Sequence, residues 1–262
     1  MVLKFAANLN FLFTECSTTT IAERIYMAKS AGFRAVEIPF PRCEENQVLE
    51  AKKQTGVEIA LINIALDPDR HKFGDASIPG EQELFKKHLC DTINIAKQLH
   101  CPKIHIMSGL MDQSFEKHFS TYQDNLKYAV KELERNNLMG LIEPINTYSV
   151  PSYFMNNYDT AREILNNFNK QHLKLMLDVF HLQQICGNVT RTLDELKDLI
   201  GHVQIAQVPN RHEPDVIGEL NFEYVFGLIE KANYNDWIGC EYKPKTTTIE
   251  GLKWLQKYGH QL

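Results

Sequence analysis

Eight short apolar runs, each followed by a stretch with helical spacing, recur along the chain. This alternation constrains the fold more than any other feature. The runs are Leu3 to Asn10, Phe33 to Ile38, Val57 to Ile64, Lys103 to Met107, Met139 to Glu143, Leu173 to Asp178, His202 to Val208 and Ile238 to Tyr242. Helices are expected at about 21–31, 44–54, 82–99, 115–136, 160–168, 193–199, 222–232 and 249–257, with a short helical turn starting near His181. The polar run Ser17 to Thr20 can cap the first helix, and Gly32 and Gly56 stop the first two. Strands alternating with helices call for a parallel sheet. Eight repeats in 262 residues point to a closed (β/α)8 barrel, the TIM barrel. A doubly wound open sheet competes. It would more often carry a Gly-rich turn after the first strand, and Asn8-Leu9-Asn10-Phe11 is no such turn. No linker or composition break interrupts the pattern, so residues 1–262 read as one domain.

Composition narrows the class. Hydrophobic residues make up 44 % and charged residues 23 %, as in an ordinary soluble globular chain with a large core. The net charge of -5 gives no attraction to phosphate backbones or anionic membranes, so neither a nucleic acid nor a membrane is an expected partner. No apolar run approaches the ~20 residues that span a bilayer. The start Met1 to Leu9 lacks the basic opening and long apolar core of a secretory signal. Six scattered cysteines without a C-x-x-C pair read as reduced core residues of a cytoplasmic protein.

In a TIM barrel the chemistry sits at the C-terminal ends of the strands. Asn8, Glu37, Asn63, His105, Glu143, Asp178, Gln204 and Glu241 all fall in or near that position. Strand alternation lets these groups point inward at one level. In the last strand Gly239 shares a face with Glu241, where it would leave room beneath that carboxylate, and Cys240 faces the helices. Burying several carboxylates together is costly unless their repulsion is offset. A divalent cation does this. Glu143, Asp178, Gln204 and Glu241 supply oxygens that suit Mg²⁺ or Mn²⁺, and no thiolate or histidine pair demands zinc. The competing reading pairs each acid separately with Arg or Lys.

At these residues the chain resembles the hydroxypyruvate isomerase family of xylose-isomerase-like (β/α)8 barrels. The matching pieces include Phe5 to Leu9, Gly140 to Asn146, Asp178 to His181, His202 to Ala206, Pro209 to Pro214, Gly218 to Asn221 and Gly239 to Pro244, so they run from the first strand to the last. The resemblance implies conversion of hydroxypyruvate into tartronate semialdehyde, with Glu143 and Glu241 as the catalytic acid–base pair. It also implies a divalent metal at Glu143, Asp178, Gln204 and Glu241, without deciding whether the metal is required. Such chemistry needs a base, an acid and a group that stabilises an enediolate. A carboxylate that ligates a metal is a poorer base, so one glutamate must shift or bind through a single oxygen.

His181 follows Asp178 by three residues and is a candidate proton relay or substrate contact. Lys243, Arg70, Arg211 and His212 lie in loops above strand ends and are candidate donors to the substrate carboxylate. Phe11, Phe13, Phe40 and Tyr242 are candidates for an apolar rim. The long loop from Ala65 to Gly80 has the length of a lid or of a subunit contact. Three rival readings share these residues. One is an isomerase or epimerase of another small 2-oxo acid or ketose. Another is an AP-endonuclease-like nuclease, which would need more strand-end histidines and a basic face. The third is a binding barrel without activity, whose mark would be loss of one acid.

Overall fold

A computed structural model describes residues 2–15, 19–168 and 170–262. Ser17 and Thr18 of the expected cap lie outside them. The strands are β1 (Lys4–Asn8), β2 (Ala35–Ile38), β3 (Glu58–Asn63), β4 (Lys103–His105), β5 (Met139–Ile142), β6 (Leu173–Asp178), β7 (Ile200–Ile205) and β8 (Trp237–Cys240). The helices are α1 (Ile21–Ser30), α2 (Glu45–Thr55), α3 (Gln82–Gln98), α4 (Phe115–Arg135), α5 (Tyr158–Asn166), α6 (Val179–Ile185), α7 (Val189–Leu196), α8 (Phe222–Lys231), α9 (Thr248–Gly251) and α10 (Lys253–Lys257). The eight parallel strands close in sequence order into a barrel, as the alternation predicts.

Local chemistry explains the boundaries. Thr20 caps α1 in a reciprocal box: its hydroxyl accepts the Glu23 N–H at 3.1 Å, and Glu23 Oε2 accepts the Thr20 N–H at 2.7 Å. Gly56 ends α2 in the left-handed region, where its N–H bonds Lys52 O. Asn157 and Asn221 cap α5 and α8 through their side-chain oxygens. Several expectations shift: the helix expected at 193–199 runs over Val189–Leu196. The last helix is two short ones, α9 and α10. β7 starts earlier than its apolar run suggests, and it ends earlier because Gln207 leaves the ladder and pairs with His212 through an antiparallel bridge.

The described chain forms two compact units. The first holds Met1–Ala60, Asp178–Asp198 and His202–Leu262. In it, Ala6, Ala35 and Ala60 are small enough to leave space for the Trp237 ring, whose Nε1 donates to Glu58 Oε2 at 2.9 Å. Lys4 Nζ and Arg34 Cζ lie 5.2 and 5.6 Å from that ring. The strand register Ala6–Gly239 and Gln204–Gly239 sets the inward-facing groups of β1, β7 and β8 side by side.

The second unit holds Leu61–Leu177 and Leu199–Gly201, around Leu61, Leu141 and Met176. The long loop after β3 belongs to it, and its second half is fixed. Asp75, Ala76 and Ser77 are fully buried. Asp75 Oδ2 meets His88 Nδ1 at 2.6 Å, and Asn125 Nδ2 donates to Ala76 O at 2.8 Å. The loop is therefore no free lid over its whole length: a swinging lid needs few such contacts.

Candidate active site

Asp178 is the last residue of β6 and the cap of α6, with Oδ1 accepting the Phe180 N–H at 2.9 Å. Its Oδ2 lies 3.0 Å from Arg211 Nη2 and 3.5 Å from His181 Nε2. Glu241 follows β8 directly, and its Oε2 accepts from the same Arg211 Nη2 at 2.7 Å. One guanidinium nitrogen thus serves two carboxylates. Arg211 Nε also donates to the Glu241 carbonyl at 3.2 Å.

The position of Arg211 is built by the β7–α8 loop. Its φ of 57° is in the left-handed region that costs a non-glycine residue about 1–3 kcal/mol. The surroundings hold it there: the Arg211 N–H donates to Gln207 O at 2.8 Å, and its carbonyl accepts the Lys243 N–H at 2.6 Å. The guanidinium lies 4.7 Å from the Phe11 ring and 4.7 Å from the Phe180 ring, between two aromatic faces. Gln207 anchors the rest of the loop, donating to Val216 O and Leu220 O and accepting from the N–H groups of Val208 and Leu220. Gly218 lies against this staple, and a Cβ there would come within 2.3 Å of Val208 O. Gly218→Ala should therefore destabilise the protein by about 1–3 kcal/mol, through overpacking. The denaturation midpoint checks this.

Electrostatics follow from one cation facing a fully buried acid, Asp178, and a largely buried one, Glu241. Burial raises the Asp178 carboxyl, opposed by Arg211 and the Phe180 N–H. Burial also pushes Glu241 up to about 8, against the pull of Arg211 and with help from the charges of Asp178 and Glu37. The pair therefore takes up a proton near neutral pH in the absence of any further cation.

Below this layer, Glu37 of β2 is fully buried. Its carboxylate meets Asn8 Nδ2 at 2.7 Å, Gln204 Nε2 at 2.8 Å and His202 Nε2. The space over Gly239 is filled by this carboxylate: a Cβ at 239 would lie 1.9 Å from Glu37 Oε1. The expectation that Gly239 makes room for Glu241 is corrected accordingly.

In the second unit, Glu143 follows β5 and is buried, with Oε2 3.5 Å from His105 Nε2. Burial of Tyr153 raises its hydroxyl, and the negative charge of Glu143 adds to this. The Tyr153 oxygen accepts the Ser108 N–H at 3.0 Å. The segment after Glu143 is tied by the Ile145 N–H to Met155 O at 2.9 Å and by the Ser149 N–H to Asn146 Oδ1 at 2.8 Å.

Residues 25–258 match the family model described as xylose isomerase-like TIM barrel. A candidate hydroxypyruvate isomerase of Drosophila melanogaster is 52 % identical, with full coverage of both chains. The hydroxypyruvate isomerase of Escherichia coli K12 is 37 % identical over 98 % of this chain and all of its own. The chain belongs to the hydroxypyruvate isomerase family of xylose isomerase-like barrels. A crystal structure from Brucella melitensis, described as AP endonuclease, family 2, superposes with a TM-score of 0.92 at 33 % identity, covering 98 % of this chain and 99 % of its own.

As a member of this family, the chain carries Asp178, His181, Arg211 and Glu241 as one connected group. The reading that pairs acids with arginine holds for Asp178 and Glu241, although they share one arginine. The other candidate donors are placed differently. Lys243 is exposed and lines a cleft of about 380 Å³ with Asn10, Phe11 and Glu15. His212 Nδ1 lies 2.9 Å from the Lys243 carbonyl and ties two loops together. Arg70 is more than half exposed and pairs with Glu81. Of the expected rim aromatics, Phe11 stacks on Arg211, whereas Phe13 packs edge-on against Phe33 and Tyr242 accepts a hydrogen bond from Trp254. The sequence reading names Glu37 only as one of eight strand-end groups and gives His202 no role. A further signal for Glu37 is the glycine in β8 that its carboxylate covers.

Proposed function

We propose that this isomerase interconverts hydroxypyruvate and tartronate semialdehyde, with Glu143 and Glu241 as the acid–base pair. One carbon-bound proton leaves C3 and one is delivered to C2, while the hydroxyl proton passes from O3 to O2. The intermediate is an enediolate. The observation that carries this reading is the sharing of one Arg211 nitrogen by Asp178 and Glu241, which leaves two acids facing one cation and raises Glu241 to about 8 before any metal binds. A carboxyl that holds a proton near neutral pH can deliver it to carbon, and a second carboxylate is then needed to remove one. Glu143 is that second group by family and by its place at the end of β5. Arg211 orients the substrate carboxylate or the developing oxyanion, since its planar fork is held by Phe11 and Phe180. His181, 3.5 Å from Asp178 Oδ2, would contact a substrate oxygen.

A divalent ion fits the donor set. Glu143, Asp178 and His181 are buried residues of ligating type, and Gln204 Oε1 is buried with no hydrogen-bond partner among the described residues. Glu143, Asp178, Gln204 and Glu241 would hold Mg²⁺ or Mn²⁺, by family and by oxygen chemistry. When bound, the ion would polarise the substrate carbonyl and stabilise the enediolate. A nuclease reading is weaker on two grounds. The strand-end group of β7 is an amide, Gln204, and the net charge is -5, which repels a phosphate backbone.

The test is a panel of hydroxypyruvate and small ketoses, assayed on chelator-treated protein with and without Mg²⁺ or Mn²⁺. Hydroxypyruvate should turn over fastest, and metal removal should lower the rate at least tenfold, reversibly. Equal rates with and without metal would remove the ion from the reaction and leave the acid–base assignment standing.

A further inference from the structure

Glu37 takes no part in the proposed chemistry, yet three neighbouring strands are arranged around it. Asn8 ends β1, Glu37 lies in β2, His202 and Gln204 lie in β7, and Gly239 lies in β8. Asn8 Nδ2 donates to Glu37 Oε2 at 2.7 Å, and Asn8 Oδ1 accepts the Asn10 N–H at 3.0 Å, which fixes which end of that amide faces the acid. Gln204 Nε2 donates to Glu37 Oε2 at 2.8 Å, and His202 Nε2 meets Glu37 Oε1. Gly239 lacks the Cβ that would evict the carboxylate.

The two ends of a glutamine amide have the same shape and opposite hydrogen-bonding character. The Nε2 end of Gln204 donates to Glu37 Oε2, so the end of the amide that faces the acid is the nitrogen. The oxygen end is then turned elsewhere. Gln204 Oε1 is buried and has no hydrogen-bond partner among the described residues. A buried acceptor left without a donor calls for an explanation, and a missing ion or substrate hydroxyl supplies one. We infer that Glu37 is a positioning residue, which locks the Gln204 amide so that its oxygen faces the ligand. The inference rests on the proposed reading of Gln204 as a ligand residue. It adds what makes Gln204 act as an oxygen donor.

The experiment has two readouts. The first is direct and needs no metal. In ¹⁵N-labelled wild-type protein, the Gln204 side-chain NH₂ pair, assigned by its loss in Gln204→Ala, should be protected from exchange with solvent and shifted downfield. The second is Mn²⁺ affinity of chelator-stripped protein, followed by electron paramagnetic resonance. Glu37→Gln can satisfy Gln204 in either orientation, so affinity should fall about ten- to a hundredfold, as for other groups that orient metal ligands. Gln204→Ala should show a similar fall, and the double variant no further one. A purely structural Glu37 would lower thermal stability and leave Mn²⁺ affinity unchanged. Affinity within twofold of wild type in a folded Glu37→Gln protein, or a freely exchanging Gln204 amide in the wild type, overturns the inference. Wild-type protein that binds no Mn²⁺ refutes the metal reading alone, and the amide signal still decides the orientation.

Discussion

Glu241→Gln should lower kcat/KM for hydroxypyruvate by about 10²–10⁴-fold, the range for loss of a general acid or base. The glutamine keeps the shape of the side chain and can still accept from Arg211 Nη2, now 2.7 Å from Glu241 Oε2. It cannot exchange a proton with substrate carbon. Because Arg211 then faces one carboxylate instead of two, the fold should tolerate the change. The midpoint of thermal unfolding should stay within a few degrees of wild type, while activity is lost. Glu143→Gln should behave alike, since either half of an acid–base pair is needed for turnover in both directions. Near-normal turnover in either variant would remove that residue from the chemistry.

Gly239→Ala should unfold or severely weaken the protein, by about 3–5 kcal/mol. A methyl group at 239 would sit 1.9 Å from Glu37 Oε1 and 2.6 Å from Oε2, and neither oxygen can yield without breaking bonds to Asn8, His202 and Gln204. Separating a buried, hydrogen-bonded carboxyl from its partners carries a cost of this size, well above the effect of an ordinary extra methyl. Chemical denaturation of the purified variant measures it. A stability loss under about 1 kcal/mol would show that the carboxylate can move aside, and would weaken the case for a fixed Glu37.

Much of the fold was legible because the signals are local. Caps such as Thr20 and stops such as Gly56 act within a few residues, and eight strand–helix repeats leave little besides a closed barrel. Asp178, Gln204 and Glu241 could be singled out for the same reason: each stands at or near the end of an apolar run. The partners could not. Glu37 and His202 are 165 positions apart in sequence, and only barrel closure brings β1, β2, β7 and β8 side by side. Lys243, Arg70, Arg211 and His212 looked equivalent as loop cations. What separates Arg211 is a left-handed backbone and two aromatic faces, supplied by Phe11 and Phe180 from distant segments. The glycine in β8 was visible, but which carboxylate fills the space over it depends on strand register.

The most direct measurement is proton NMR of hydroxypyruvate incubated with the wild-type protein and Mg²⁺, beside Glu143→Gln and Glu241→Gln at the same concentration. The account predicts that the C3 methylene signal decays in the wild-type sample as the aldehyde and C2–H signals of tartronate semialdehyde appear, with both variants showing no change on that timescale. Persistence of the methylene signal with wild-type protein, with and without added Mg²⁺ or Mn²⁺, would contradict it.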